Sequence, residues 1–276
     1  MNYIIKKLKP FGLLIQAQSN AESIQSIDIE KLKKYFNEEH LIVLRGFKTF
    51  NSSDEFANYC DQFGEVSIWP FGKVLELIQQ KNPADHIFDN SYVPMHWDGM
   101  YRSHVPEYQI FHCVEAPKKG HGGRTIFSNT IKLLKEEGST ISEKLEGIKG
   151  TYYRKMEFYN SKVISPLITK HPYKSVSVIR YNEPHHPKKG KLINIPKLEF
   201  NGVSDQVEFQ SELEDLLYSP QYSYAHTWED GDLVIADNFS LLHAREAFKE
   251  NSARHIQRVQ VLSDPPFENP NLETYQ

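Results

Sequence analysis

The chain has 276 residues, of which 39% are hydrophobic and 25% charged, a composition typical of globular domains. Its 32 basic and 36 acidic residues give a net charge of −4, which argues against a nucleic-acid partner. No apolar run reaches the roughly 20 residues that a membrane helix needs, and Lys6, Lys7 and Lys9 interrupt any signal-peptide core. Cys60 and Cys113 form no CxxC motif. We therefore expect a cytoplasmic enzyme or binding protein.

The first elements along the chain are two helices that flank a short strand. Apolar residues recur at helical spacing over residues 27–36, with Asp28 placed to cap the helix. Residues 41–44 are continuously apolar and predict a buried strand that ends in a turn. Residues 52–64 predict a second amphipathic helix, which begins at a serine pair and ends at Gly64.

Strand-like segments dominate the rest of the chain. The predicted strands are residues 108–114, 124–128, 175–181, 222–227, 232–236 and 255–262. Turn signals occur at 120–123, 184–187 and 230–231, and a helix is predicted over 205–217. The fold class is therefore mainly β with flanking helices, an antiparallel barrel or jelly roll rather than alternating βα units. We expect one domain over residues 1–276.

A metal site is predicted from three residues that lie far apart in the chain. His96 and Asp98 are two residues apart, so on a strand both side chains would point to the same face. His243 follows the predicted strand around 231–238 and would supply a third ligand. Two imidazoles and one carboxylate on one face are typical of non-haem Fe(II) oxygenases, which keep three positions open. Zinc is the alternative metal, but catalytic zinc usually keeps one open position.

Two arginines follow the third ligand. Arg254 and Arg258 come 11 and 15 residues after His243, and their even separation puts both on one face of a strand. Burying two like charges is costly unless anions meet them. Because a guanidinium binds a carboxylate in bidentate geometry, a carboxylate cosubstrate and an acidic substrate would resolve this cost. The alternative is a solvated edge strand with ordinary surface arginines.

Taken together, these motifs resemble the taurine dioxygenase-like family of Fe(II)/2-oxoglutarate oxygenases. The matching segments are His96-Trp97-Asp98, Gly122-Gly123-Arg124-Thr125, Asp237-Asn238, His243, Arg254, Arg258 and Leu262-Ser263-Asp264-Pro265. They extend over most of the chain, and their combined order is far more specific than any one of them.

The resemblance implies a double-stranded β-helix (jelly-roll) core that uses Fe(II), 2-oxoglutarate and O₂. It implies that His96, Asp98 and His243 are the iron ligands and catalytic centre. By position, Thr125 and Arg254 would hold the distal carboxylate of 2-oxoglutarate. Arg258 falls where the family commonly binds an acidic group of the substrate.

A closer likeness is to the branch of this family that acts in paerucumarin-type isocyanide biosynthesis. It is carried by Phe63-Gly64-Glu65-Val66, Trp69-Pro70-Phe71-Gly72, Asp85-His86-Ile87-Phe88, Tyr92-Val93-Pro94 and His96-Trp97-Asp98-Gly99-Met100-Tyr101. This likeness implies oxidation of the Cα–Cβ bond of a tyrosine-derived isocyanide acid, supplied by an isonitrile synthase. The product would be a dehydro-acid or, with loss of CO₂, a vinyl isocyanide. Trp69, Phe71, Tyr92 and Tyr101 are the predicted aromatic walls of the substrate pocket.

Two other functions remain open at this point. One is a 2-oxoglutarate-dependent hydroxylase of a sulfonate or of another amino-acid-derived carboxylate. The other is a cupin-like protein that binds a metal as a sensor without turnover. The sequence also leaves a homo-oligomer open.

Overall fold

Strands make up most of the regular structure of the chain. The structure is a computed structural model that describes residues 2–156, 159–186, 189–190, 192–250, 252–270 and 272–275. The described α-helices are α1 (Ile29–Glu39), α2 (Ser53–Cys60), α3 (Thr130–Leu145) and α4 (Gln206–Tyr218). The described strands are β1 (Tyr3–Lys7), β2 (Leu13–Ala17), β3 (Leu41–Arg45), β4 (Leu75–Ile78), β5 (Val93–His96), β6 (His104–Val105), β7 (Tyr108–Glu115), β8 (Thr125–Asn129), β9 (Lys149–Met156), β10 (Tyr159–Pro166), β11 (Ile168–Lys170), β12 (Ser177–Ile179), β13 (Lys197–Asn201), β14 (Ser223–His226), β15 (Leu233–Asp237), β16 (Leu241–Arg245), β17 (His255–Val261), β18 (Phe267–Glu268) and β19 (Leu272–Thr274).

Two sheets form the centre of the fold. The larger has the strand order β1-β2-β3-β15-β7-β17-β4, and the smaller has the order β14-β8-β16-β5. All neighbouring strands in both sheets are antiparallel except β2 and β3, which run parallel. A further sheet, β13-β9-β10-β19, and two strand pairs complete the described strands. This arrangement confirms the mainly β fold with a jelly-roll core.

The strand alternation decides which side chains face the space between the two central sheets. On β17, Ile256 packs between the sheets, whereas Val259 and Val261 pack on the opposite face with residues of α1 and α2. On β16, Leu241 faces the space between the sheets, whereas Leu242 packs on the other face. Because alternate residues share a face, His243 and Arg258 face the interior between the sheets.

Both predicted early helices are present, but α2 ends at Cys60, before the predicted end at Gly64. Helix α1 has Asp28 as its N-cap, and the Asp28 carboxylate accepts the Glu30 N–H at 2.9 Å. Helix α2 has Ser52 as its N-cap, and the predicted strand between the helices is β3. The predicted helix over 205–217 is α4, capped by Asp205. None of the described helices is long and apolar enough to cross a membrane.

Sequence patterns missed α3 and the hairpin of β9 and β10. Gly138 interrupts α3 with φ 66° and ψ −144°. The Gly138-Ser139-Thr140 segment also has the composition of a loop, so the sequence does not indicate a helix there. Two helical segments, joined by a kink at Gly138, nevertheless form because Leu133, Leu134, Ile141 and Leu145 are buried in the core beside α4. Of the predicted turn at 184–187, Pro187 lies outside the described residues.

Candidate metal and substrate site

Three predicted metal ligands converge at one end of the space between the central sheets. His96 is the last residue of β5 and lies directly opposite His243 of β16. Asp98 Oδ1 is 3.7 Å from His96 Nε2, and Asp98 Oδ2 is 3.7 Å from His243 Nε2. One ligand atom from each residue lies within 4.8 Å of the other two. This spacing lets the three side chains bind a single metal ion.

The route by which Asp98 reaches the site differs from the prediction. The strand ends at His96, and Asp98 lies in the turn that follows, so the expectation of a shared strand face was wrong. Asn238, just after β15, fixes this turn because its side chain accepts the Asp98 N–H at 2.9 Å and donates to the Asp98 carbonyl at 3.0 Å. Gly99 has φ +87°, and a Cβ there would lie 2.5 Å from Pro106 Cδ. The tight turn therefore requires glycine at this position.

The protonation states of the three side chains suit metal binding. Burial lowers the pKa of His96, and burial followed by the neighbouring His96 lowers the pKa of His243 to about 3. Burial opposes ionisation of Asp98, but the charges of Arg258 and the two histidines outweigh it and lower its pKa to about 2. His96 Nδ1 donates to the Pro94 carbonyl at 2.8 Å, so the lone pair of Nε2 is available to bind a metal. At neutral pH the site offers two neutral imidazoles and one carboxylate.

Arg258 contacts the site directly. It lies on β17, and its Nη1 donates to Asp98 Oδ2 at 2.6 Å. Its Nε is buried and has no hydrogen-bond partner among the described residues. A guanidinium that holds Asp98 with one nitrogen therefore keeps a second donor for another group at the site.

Arg254 and Thr125 lie close together, next to the glycine pair that precedes β8. Arg254 is 5% exposed, and its Nε donates to the Gly123 carbonyl at 3.2 Å. Gly123 has φ +79°, and a Cβ there would lie 3.2 Å from Arg254 Cδ, so glycine makes room for the arginine. Thr125 faces the interior on β8, where its Oγ1 accepts the Trp228 Nε1–H at 3.1 Å.

Arg254 is a buried cation without a matching anion. Among the described residues no carboxylate lies within 4 Å of its guanidinium. Burial, and then the neighbouring cation Arg245, lower the pKa of Arg254 to about 9. Because a buried unpaired charge is costly, this environment is suited to a ligand carboxylate.

A cavity of about 160 Å³ adjoins the three predicted ligands. Its walls include Trp69, Phe71, Leu75, Ile87, Tyr101 and Tyr159, together with His96, Asp98 and Arg258. The rings of Trp69 and Phe71 stack with centroids 5.5 Å apart, and Trp69 Nε1 donates to Gln260 at 3.1 Å. The Tyr101 hydroxyl is buried without a hydrogen-bond partner in the described part of the chain. The cavity thus combines aromatic and aliphatic walls with many charged and polar residues, which suits a small ligand that has both apolar and charged parts.

Tyr92, another predicted wall, does not line this cavity as the described residues define it. Its hydroxyl lies 2.7 Å from Nδ1 of His185, and His185 is a lining residue. Thr125 and Arg254 are also absent from the described lining. The structure therefore brings Trp69, Phe71, Tyr101 and Arg258 to the cavity and leaves Tyr92 behind its wall.

Sequence patterns missed Arg154, a charged residue of the cavity wall. Arg154 of β9 lines the cavity and forms an ion pair with Asp85, which is fully buried. The sequence feature that could have predicted this position is the alternation of Tyr152, Arg154 and Met156 along a strand, which puts an arginine among inward-facing residues. The hairpin was not predicted, so this alternation was not noticed.

Arg245 was also not assigned a definite role. It is buried, and its guanidinium donates to the carbonyls of His86, Ile87, Asp89 and Ser91 at 2.6 to 3.0 Å. These bonds fix the segment that includes His86 and Ile87, both of which line the cavity. Arg245 therefore positions one wall of the cavity.

A jelly roll that gathers two histidines and one aspartate beside an internal arginine defines a metal-dependent oxygenase. Residues 5–260 match the family model described as "Taurine catabolism dioxygenase TauD, TfdA family". The chain therefore belongs to this family. Membership confirms the predicted class, an Fe(II)/2-oxoglutarate-dependent dioxygenase.

Individual relatives are similar over almost the whole chain. The chain is 41% identical to a tyrosine isonitrile desaturase from Pseudomonas aeruginosa, over 95% of this chain and 91% of that protein. It is 37% identical to a 3-((Z)-2-isocyanoethenyl)-1H-indole synthase from Fischerella ambigua, over 94% of this chain and 96% of that protein. These similarities confirm the predicted likeness to enzymes of isocyanide pathways.

Solved structures agree with this likeness. The crystal structure of the PvcB protein from Pseudomonas aeruginosa matches with a TM-score of 0.84 and 38% identity, over 98% of this chain and 95% of that chain. A second PvcB structure, with a TM-score of 0.82 and 37% identity over 98% of this chain and 96% of that one, is described as "an Fe, alpha-ketoglutarate dependent oxygenase from an isonitrile synthetic pathway".

Proposed function

We propose that this enzyme oxidises the Cα–Cβ bond of an isocyanide acid derived from tyrosine. The product is either the dehydro-acid or, with loss of CO₂, a vinyl isocyanide. The observation that carries the proposal is the contact of Arg258 with Asp98 at the edge of an aromatic cavity, because it puts an anchor for an acid directly beside the metal ligands. The names of the similar desaturase and indole isocyanide synthase support the substrate class.

Under this proposal His96, Asp98 and His243 hold Fe(II), and the buried Arg254 with Thr125 holds the distal carboxylate of 2-oxoglutarate. These three side chains fit Fe(II), because at neutral pH they offer two neutral imidazole nitrogens and one ionised carboxylate oxygen. Arg254 fits a carboxylate partner because it is a buried cation with no carboxylate within 4 Å among the described residues. When bound, iron and 2-oxoglutarate supply the activation of O₂ that the oxidation requires.

The chain's own contribution is to orient the substrate and exclude water. Arg258 binds the substrate carboxylate through the donors that Asp98 does not occupy. Trp69, Phe71 and Tyr101 hold the aromatic ring, and Tyr92 acts through His185. An acid fixed at Arg258 next to Asp98 has its Cβ within short reach of the metal ligands, and a displacement of about 1 Å is enough to change the reaction outcome.

The proposal also includes the setting of the enzyme. We assign residues 1–276 to one oxygenase domain, since β1 joins the larger central sheet and β19 joins the sheet of β9 and β10. A cytoplasmic location is consistent with Cys60 and Cys113, which are buried and form no disulfide. An isonitrile synthase would supply the substrate.

The test is succinate formation that depends on the substrate. Purified enzyme with Fe(II), 2-oxoglutarate and O₂ is assayed with the isocyanide of tyrosine, with free tyrosine and with taurine. We expect turnover of the isocyanide only, and mass spectrometry then distinguishes loss of two hydrogen atoms from loss of two hydrogens plus CO₂. Turnover of taurine or tyrosine alone would favour the hydroxylase alternative and overturn the substrate assignment.

A further inference from the structure

A second cavity shares Trp97 with the cavity of the metal site. Its volume is about 360 Å³, within the range of small-molecule sites. Its apolar walls are Val105, Ile164, Pro166, Ile168, Phe267 and Pro270. Trp97 lines both this cavity and the cavity of the metal site. An occupant of the second cavity would therefore touch the residue that stands between His96 and Asp98.

The polar side chains that line this cavity include Ser165, Thr169, Lys170, Arg180 and Asn269. Arg180 is the buried cation among them, and Trp97 adds an indole N–H. Arg180 is 5% exposed, and its Nη1 donates to the Asn238 carbonyl at 2.8 Å. In the described part of the chain no carboxylate lies within 4 Å of Arg180. Burial lowers its pKa to about 10, and the more distant Asp237 opposes this shift only in part. The Arg180 guanidinium stacks on the Trp97 ring at 4.9 Å, and Trp97 Nε1 is buried without a partner among the described residues.

We propose that the second cavity binds a small carboxylate with an apolar body. Trp97 Nε1 is a buried donor without a partner among the described residues, and the Arg180 guanidinium over its ring has one nitrogen, Nη1, held by the Asn238 carbonyl. Lys170 also lines the cavity and is exposed, so it adds positive charge. A carboxylate on an apolar body matches both parts of the lining, because its head meets the two donors while its body is buried against the aliphatic and aromatic walls. This site is separate from the one proposed for the oxidised substrate.

The chain has 3 tryptophans. Trp97 lines both cavities and Trp69 lines only the metal-site cavity, whereas Trp228 is in neither lining and serves as a control. The full-length, metal-free protein is labelled with 5-fluorotryptophan, and its ¹⁹F resonances are assigned with Trp69→Phe and Trp228→Phe. The probe is hexanoate, which lacks the aromatic ring proposed for the metal-site cavity, with the neutral hexanamide as its control. We expect the acid to shift the Trp97 resonance saturably while Trp69, on the wall of the metal-site cavity, stays unchanged. A shift of Trp69 without Trp97, no shift at all, or equal affinity for the amide would overturn the proposal.

Two variants test whether the acid binds the Arg180 guanidinium itself or only responds to positive charge near the cavity. Arg180→Lys keeps a cation but loses the planar fork, so we expect the dissociation constant of the acid to rise by at least about 10-fold. Lys170→Met, the matched control on an exposed side chain, should change it by less than about 3-fold. Equal effects of the two variants would contradict a site built on Arg180.

Ile168→Trp puts a larger side chain on the wall of the second cavity and fills it without changing any charged residue. We expect it to abolish the shift of Trp97, while an unchanged Trp228 resonance reports that the fold is intact. If the acid still shifts Trp97 in Ile168→Trp, the carboxylate is bound elsewhere and the proposal fails. Because no metal is added in these measurements, their outcome is independent of the proposed oxidation.

Discussion

Arg258 Nη1 lies 2.6 Å from Asp98 Oδ2, so the proposed substrate anchor contacts a proposed metal ligand directly. The guanidinium has five N–H donors in a fixed plane, and one of them holds Asp98. The buried Nε has no partner in the described residues and is available to an acid. One side chain therefore links the orientation of the substrate to the orientation of a ligand carboxylate.

Replacing Arg258 should weaken substrate binding more than it weakens metal binding. We expect Arg258→Met to raise KM for the isocyanide acid by about 10- to 100-fold, the range for a lost charge-assisted pair. Arg258→Lys should recover part of this loss, because it retains the charge without the fork. Steady-state kinetics measure KM, and anaerobic titration with Fe(II) measures the metal affinity. An unchanged KM in Arg258→Met would move the anchor to another residue.

Removing either imidazole should abolish tight metal binding. We expect His96→Ala or His243→Ala to raise the dissociation constant of Fe(II) or Co(II) by about 100-fold or more, since only two ligands remain. The matched control is His104→Ala, which removes an exposed histidine eight residues from His96. Anaerobic calorimetry measures the affinities. Metal binding that survives in both site variants would mean that the three residues are not the ligands.

Arg254→Met should lose 2-oxoglutarate binding without a loss of stability. We expect the dissociation constant of 2-oxoglutarate to rise by about 10- to 100-fold, measured by the visible absorption of the anaerobic complex. The melting temperature of the ligand-free protein should stay the same or rise, because the variant removes a buried charge that has no acidic partner among the described residues.

The control for Arg254 is Arg124→Met. Arg124 belongs to the same glycine-rich segment but is exposed, and it forms a salt bridge with Glu246. We expect 2-oxoglutarate affinity to be nearly unchanged in this variant. If both variants weaken 2-oxoglutarate equally, general positive charge rather than the buried guanidinium explains binding.

Tyr101→Phe tests whether the buried hydroxyl of the cavity meets the substrate. The hydroxyl has no hydrogen-bond partner among the described residues, so its removal should leave the ligand-free protein equally stable or slightly more stable. If it bonds the substrate, KM rises by about 5- to 10-fold. An unchanged KM together with increased stability would assign the hydroxyl to packing alone.

Local patterns predicted those parts of the site that the strand period fixes. Arg258 could be predicted to face inward because β17 keeps a regular register with β7 from Ile256 to Val261, after a shift between His255 and Ile256. Asp98 could be predicted as a ligand but not by its true route, because a turn held by Asn238, 140 residues away, orients it. Such a contact has no local sequence signal.

Arg154 and Arg180 were missed for a related reason. Their roles depend on which elements lie opposite them, and that is decided by packing between distant segments. The partner of Arg154 is Asp85, 69 residues earlier in the chain. Arg180 meets the Trp97 ring and the Asn238 carbonyl, neither of which is near it in sequence. A sequence period can predict a face, but it cannot predict which side chains share that face from another sheet.

Glu107 should make the stability of the protein fall as the pH rises. Burial, and then the neighbouring Asp237, raise the pKa of Glu107 to about 7, despite the opposing charge of Lys174. Because this pKa is above the unfolded value of about 4.3, its contribution to stability is full below pH 4.3 and is lost as the pH rises through 7. We expect Glu107→Gln to be more stable than the wild type at pH 8 by about 1–3 kcal/mol and nearly equal at pH 5. Urea unfolding at pH 5 and pH 8 measures the free energy of unfolding, with the exposed Glu115→Gln as the control. If the difference in this free energy between Glu107→Gln and the wild type does not change with pH, the raised pKa is contradicted.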